Sequence, residues 1–191
     1  ILMPNTPINR VQCQYTGGVA AWRIQNAQSL VFNRWGFGVK DGLACFESSF
    51  IQPYTIGPND IFTVYPLPVD AGAGKANVLA WIQTPQAGEV FEATGVDNGV
   101  PTEMKTVVNE QTLGDSMFNS TLGSICVQAE DGATVDEIQI IDNSGGVVLT
   151  LFGGTRGDTL GAMSLSKNLD AKDLAVPIGK GFSIKVQTTT A

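Results

Sequence analysis

No histidine occurs among the 191 residues, and that absence removes more chemistry than any motif supplies. Without an imidazole, the Ser-His-Asp and Cys-His nucleophile systems have no base, and His-ligated zinc or haem has no ligand. Carboxylates are the catalytic type left in quantity, with 18 Asp and Glu. Glycosidases set two of them across the scissile bond, and Glu89 with Glu92, or Glu103 with Glu110, are the pairs on offer. A calcium ion in an acidic β-sandwich would draw on Asp97, Asn98, Glu130, Asp131 or Asp136. Their spacing matches no standard calcium loop, so no catalytic, cofactor or metal residue is assigned and no binding residues are named.

Shorter motifs each fail a chemical requirement. Ala71-Gly72-Ala73-Gly74-Lys75-Ala76 is superficially a phosphate loop, but the first required Gly would fall at Val69 and the magnesium-holding Ser or Thr at Ala76. Asn77 also leads into a strand pattern rather than a helix. Gly114-Asp115-Ser116 has the look of a lipase block without the histidine base that block needs. Arg156-Gly157-Asp158 is an integrin-type tripeptide that reads as a turn after the strand ending at Phe152, and Asn119-Ser120-Thr121 is a glycosylation sequon, meaningful only in a eukaryotic secretory pathway. Trp22, Trp35 and Trp81 could line a sugar-binding groove, although all three sit in alternating apolar runs that read as core or interface.

Charge narrows the partners. Eighteen acidic against eleven basic residues give a net charge of −7, and the basic residues are scattered singly. A phosphate backbone needs several on one face to displace counterions, so nucleic acid is not an expected partner. An anionic membrane surface is disfavoured by the same repulsion. No run approaches the ~18 apolar residues of a membrane span and no signal-peptide pattern opens the chain; the first residue is Ile1, which leaves processing open. Cys13, Cys45 and Cys126 are far apart, without a CxxC, and their apolar or alternating neighbours suit reduced thiols used as small core residues.

The elements that would carry these residues are almost all strands. Val11, Cys13 and Tyr15 alternate with Gln12, Gln14 and Thr16, and the same period of two runs through Val19 to Gln25, Leu30 to Gly38 and Ile61 to Tyr65, where Pro66 and Pro68 stop the ladder. Val78 to Gln83, Glu89 to Thr94 and Met104 to Val108 are further candidates. Val135 to Asp142 and Val147 to Phe152 form a hairpin across Asn143-Ser144-Gly145-Gly146, residues that tolerate positive φ. Val176 to Ile178, a Gly179-Lys180-Gly181 turn and a strand from Phe182 close the chain. Helix signals are limited to Thr112 to Leu122, interrupted by Gly114, and Ser164 to Leu174.

Many short strands, 22 Gly and 9 Pro, and almost no helix predict an all-β fold, an antiparallel β-sandwich of jelly-roll type with at most one or two short helices. Residues 1–10, with Pro4, Asn5, Pro7 and Asn9, read as an extended N-terminal arm and 11–191 as a single β-sandwich domain; the turn-rich stretch Gly95 to Pro101 is the alternative boundary of two smaller domains. Charged residues are only 15% against roughly 25% in soluble domains, which leaves a polar, uncharged coat suited to binding or assembly.

Asp136-Glu-Ile-Gln-Ile-Ile-Asp-Asn-Ser-Gly-Gly-Val-Val148 and Val176-Pro-Ile-Gly-Lys-Gly-Phe-Ser-Ile-Lys-Val-Gln187, with the proline-bearing arm, resemble the small β-rich accessory proteins of tailed-phage virions, especially capsid decoration or cement proteins. The resemblance covers about a quarter of the chain and transfers no functional residue. It implies a non-enzymatic virion structural protein, assembled in the host cytoplasm, that seats on the major capsid protein lattice as a homo-oligomer, commonly a trimer, and stabilises the head. The tryptophans and the neutral coat motivate the alternative, a carbohydrate-binding or tail-associated receptor-binding β-sandwich module.

Overall fold

The computed structural model describes residues 4–16, 20–25, 30–36, 39–40, 43–66, 71–85, 88–130, 132–153, 169–171 and 173–190; through 8–54, 64–66, 128 and 169–170 the description is of the backbone. By its internal contacts the chain forms two compact units, Ile1–Leu67 and Pro68–Ala191. That division falls before the stretch at 95–101, which lies inside the second unit as a turn between two paired strands.

Among the described residues the first unit holds two antiparallel three-stranded sheets. In one, β5 (Leu43–Thr55) lies between β1 (Pro7–Thr16) and β4 (Val39–Lys40); in the other, β2 (Ala20–Gln25) lies between β3 (Leu30–Gly36) and β6 (Ile61–Pro66). The stretch expected as an arm is partly drawn into the first sheet, where Pro7 faces Thr55 and Ile8 faces Tyr54 before a register shift ahead of Arg10. The preceding residues are tied too: Asn5 N–H donates to the Ile56 carbonyl and Ile56 N–H to that of Thr6, at 2.8 and 3.0 Å. Pro7 tolerates this place because β1 is an edge strand, where a missing N–H costs no ladder bond.

Among the described residues the second unit is built on eight antiparallel strands: β7 (Lys75–Gln83), β8 (Gly88–Asp97), β9 (Thr102–Thr106), β11 (Ser124–Ala129), β12 (Ala133–Ile141), β13 (Val147–Phe152), β14 (Leu169–Ala171) and β16 (Ser183–Thr190). Their order is β13-β12-β16-β9-β8-β7-β11-β14. A short pair, β10 (Thr121–Leu122) with β15 (Val176–Pro177), and one helix among the described residues, α1 (Leu113–Met117), complete it. β11 comes near β12 and β13 near β14, so the sheet curls until its two ends approach. The all-β, antiparallel expectation holds; the strand order shows a curled sheet and goes no further towards a jelly roll.

Side-chain alternation explains where the core sits. On β16, Ile184 and Val186 are buried while Ser183, Lys185 and Gln187 are half-exposed, one face in and one face wet. β12 does the same, except that one extra residue, Asp136, is bulged out opposite β16, which keeps Val135 and Ile138 in phase with the interior. β7 is buried on both faces. Ala76, Val78, Ala80 and Ile82 join Phe91, Met104, Ile125 and Ile138 in the core, and Leu79 and Trp81 are buried on the opposite face. Truncating a fully buried ring such as Phe91 to Ala costs about 3–5 kcal/mol.

Two sequence expectations change. Ser164 to Leu174 was read as helical; 164–168 lie outside the described residues, and Leu169–Ala171 is strand β14, with Leu169 opposite Val127 and Ala171 opposite Ile125. Three residues of helix propensity yield there to the ladder that β11 offers. The expected interruption at Gly114 does not occur either, since Gly114 lies within α1.

Candidate functional site

One end of the second unit brings together three segments that are distant in sequence. α1 begins at Thr112, whose hydroxyl accepts from Asp115 N–H at 3.2 Å and donates to the Asp115 carboxylate at 2.8 Å, an N-cap that holds the short helix open at its first turn. Its buried Leu113 and Met117 face the core, and Gly114 N–H donates to the Phe182 carbonyl at 2.8 Å. The approach is so close that a Cβ on Gly114 would stand 2.5 Å from Phe182 N, 2.6 Å from Gly179 O and 2.7 Å from Gly181 N. The 178–182 turn in turn meets the β12–β13 hairpin tip, where a Cβ on Gly181 would lie 3.0 Å from Asn143 Cβ.

That tip is fixed by Asp142. One carboxylate oxygen accepts from Ser144 N–H, the Ser144 hydroxyl and Gly146 N–H at 2.8, 2.7 and 2.8 Å. These hydrogen bonds, the Ser144 hydroxyl first, hold the Asp142 carboxyl below its ordinary value, and Gly145 supplies the positive φ that closes the turn. The three segments therefore form a braced scaffold, and it displays apolar side chains. Phe118, directly after α1, is 51% exposed, and Val147 and Val148, directly after the tip, are 52% and 45% exposed. Val148 is the extra residue where Ile140 faces Leu149 and Ile141 faces Val147, which accounts for two neighbouring valines both facing solvent.

Comparison with protein-family models, curated proteins and solved structures finds no match to this chain.

The carboxylate pairs drawn from the sequence do not converge. Glu89 and Glu92 are three residues apart on β8 and so project from opposite faces; Glu89 lies opposite Ile82, and Glu92 opposite Leu79 and Lys105. Glu103 faces Lys185. The pair that the fold does bring near is Glu92 and Glu110: burial first, and then the Glu110 charge, raise the Glu92 carboxyl above its ordinary value. Nothing in the spacing signals this pair, because the β8–β9 register and the positive φ of Glu110 create it.

The calcium set is dispersed into local roles. Asp97 takes the Lys75 ammonium at 2.8 Å, Asn98 N–H donates to the Gly74 carbonyl, and Asp136 accepts from the Thr189 hydroxyl. Glu130 is 8% exposed and accepts from Ala71 N–H and from the Asn77 amide. The Asn77 oxygen accepts the Gly95 N–H at 3.0 Å beside the extra residue that β8 carries against β7. Glu130 and Asn77 thus anchor the loop that superficially resembled a phosphate cradle, and Lys75 opens a strand rather than a helix. Among the described residues no three His, Cys, Asp or Glu come together as metal ligands; Asp131 lies outside them.

Of the tryptophans, Trp81 is 5% exposed on β7 between Val90 and Cys126, with its indole N–H on the Gln83 side-chain oxygen at 3.2 Å. It leaves no ring face open for a sugar. Trp22 faces Arg34 and Trp35 faces Ala21 in the backbone register, and their side chains lie outside the described residues. Cys126 is buried on β11; Cys13 faces Phe46 and Cys45 faces Gln14, so those two are not directly opposed. Arg156–Asp158 lies outside the described residues. Asn119 of the sequon is exposed in the turn after α1 with φ 61°.

Proposed function

We propose that this chain is a non-enzymatic virion structural protein, a capsid decoration protein that binds the major capsid protein lattice, self-associates and stabilises the head. The observation that carries the reading is the display of Phe118, Val147 and Val148 on a braced end of an all-β unit. Side chains of this type are excluded from water when a protein surface covers them, at about 25 cal/mol per Å2 of apolar area. A lattice repeats one weak contact many times, so modest burial per copy suffices through avidity. The uncharged polar coat and the sequence resemblance support the same reading.

The test is co-sedimentation with expanded tailed-phage capsids that lack this protein, assembled from purified major capsid protein. Wild-type protein should pellet with the capsids and raise the temperature at which they release their contents. Phe118→Asp should pellet less at equal stability. Wild-type protein that stays in the supernatant at saturating capsid concentration defeats the proposal.

A further inference from the structure

Asn98 is the one asparagine of the chain that is followed by glycine, and the pair carries a chemistry that needs no other side chain. Once deprotonated, the Gly99 amide nitrogen can attack the Asn98 side-chain carbonyl carbon. The new N–C bond closes a succinimide ring, the side-chain nitrogen leaves as ammonia, and water opens the ring at either carbonyl to give aspartate or isoaspartate. Glycine favours the attack because its nitrogen is uncrowded and its backbone turns freely. Nothing stands within 4 Å of a Cβ built on Gly99, and Asn98 and Gly99 are both exposed to water.

The fold adds a restraint. Asp97 to Val100 make the turn between β8 and β9, closed by Val100 N–H on the Asp97 carbonyl at 3.0 Å with Gly99 at φ 73°. Asn98 N–H donates to the Gly74 carbonyl at 3.0 Å, and Gly99 N–H donates to the Thr188 carbonyl at 2.8 Å. The last bond decides. The attacking nitrogen must first give its proton to hydroxide, and a proton held by a carbonyl is out of reach until the bond opens, as in amide hydrogen exchange. Thr188 lies towards the end of β16, beyond Val186, the last residue of that strand in register with β9. Its neighbour Thr189 is tied through its hydroxyl to the Asp136 carboxylate at 2.6 Å.

We propose that Asn98 is a deamidation site gated by the end of β16, held back while the Thr188 carbonyl keeps the Gly99 N–H and reactive each time that contact opens. The product adds one negative charge to the −7 of the chain, next to Asp97, whose carboxylate holds the Lys75 ammonium at 2.8 Å. Isoaspartate also lengthens the backbone of the turn by one atom. Ammonia is lost and the step does not reverse, so the modified fraction records how often the strand end has opened. The inference stands apart from the capsid reading.

Incubation of the whole chain in mildly alkaline buffer tests it, with peptide mass spectrometry and chromatographic separation of aspartate from isoaspartate reading the rate at Asn98. Folded protein should convert at least about tenfold more slowly than protein unfolded in guanidinium chloride. Thr189→Ala, which removes the tie to Asp136, should raise the folded rate about fivefold and leave the unfolded rate unchanged. In wild type below the unfolding transition, the rate at Asn98 and hydrogen exchange at the Gly99 amide should rise together with denaturant while the circular dichroism stays native, a readout that does not depend on any variant folding. Equal rates in the folded and unfolded chain overturn the proposal, as does an Asn98 that stays intact in the unfolded chain. A folded Thr189→Ala chain that reacts at the wild-type rate, or a wild-type rate that rises only with global unfolding, overturns the gate at β16.

Discussion

Replacing Gly114 with Ala sets two effects of opposite sign against each other. In a helix interior Ala is favoured over Gly by about 1 kcal/mol, so an isolated α1 would gain. In the folded unit the new Cβ stands 2.5–2.7 Å from three backbone atoms of Gly179, Gly181 and Phe182, closer than such contacts allow. Backbone cannot rotate away as a side-chain tip can, so the 178–182 turn must shift. Overpacking of this kind costs about 1–3 kcal/mol. The shift also strains the 2.8 Å bond from Gly114 N–H to the Phe182 carbonyl, worth about 1 kcal/mol. With the clash at the upper end of its range, the balance is a net loss of about 2–3 kcal/mol. That corresponds to a fall of roughly 10 °C in the melting temperature of a unit this size.

The assay is thermal unfolding followed by calorimetry, with the emission of buried Trp81 reporting the second unit. Gly72→Ala is the control: nothing lies within 4 Å of its Cβ position, and only its φ of +100° is unfavourable, a strain of about 1–2 kcal/mol. Gly114→Ala should be the more damaging of the two. A neutral or stabilised Gly114→Ala, or the reverse order, would refute the close-approach argument and leave Gly114 as an ordinary helix position.

Two further outcomes follow from polar groups the fold places awkwardly. Thr188 Oγ1 is fully buried without a hydrogen-bond partner among the described residues, so Thr188→Val should be neutral or stabilising by up to about 1 kcal/mol in urea unfolding; a loss of stability would mean that the hydroxyl is bonded. Glu92 has its folded pKa raised above 4.5 by burial and then by Glu110, so its charged form is disfavoured in the folded state above that pH. Glu92→Gln should therefore stabilise modestly at neutral pH, and the gain should fade as pH falls through the raised pKa towards 4.5 and the native carboxyl takes up its proton. Glu110→Gln should move stability in the same direction by less, and a pH-independent effect of Glu92→Gln would sink the assignment.

Strand patterns were legible wherever one face is wet. Phe182, Ile184 and Val186 against Ser183, Lys185 and Gln187 announced β16, and Asn143 to Gly146 announced the turn that Asp142 and Gly145 close. β11 carried no such sign, because Ile125, Cys126 and Val127 are all buried and a strand covered on both faces shows no period of two. β14 was misread because Leu169, Asp170 and Ala171 suit a helix until β11 offers them a ladder. The braced end was visible only in pieces: its hairpin, its glycine turn and its short helix were each readable, and their meeting was not.

By itself the sequence determined the class of protein: antiparallel all-β, acidic, sparsely charged and barred from histidine chemistry. Those properties are local or additive, set by each residue's own period, ionisation or absence. The tertiary structure alone decided that Gly114 touches the backbone of 179–182, that Glu92 feels Glu110 rather than pairing with Glu89, and that β13 ends the sheet among the described residues. Each of these depends on which strands become neighbours, a choice made by burying many side chains at once.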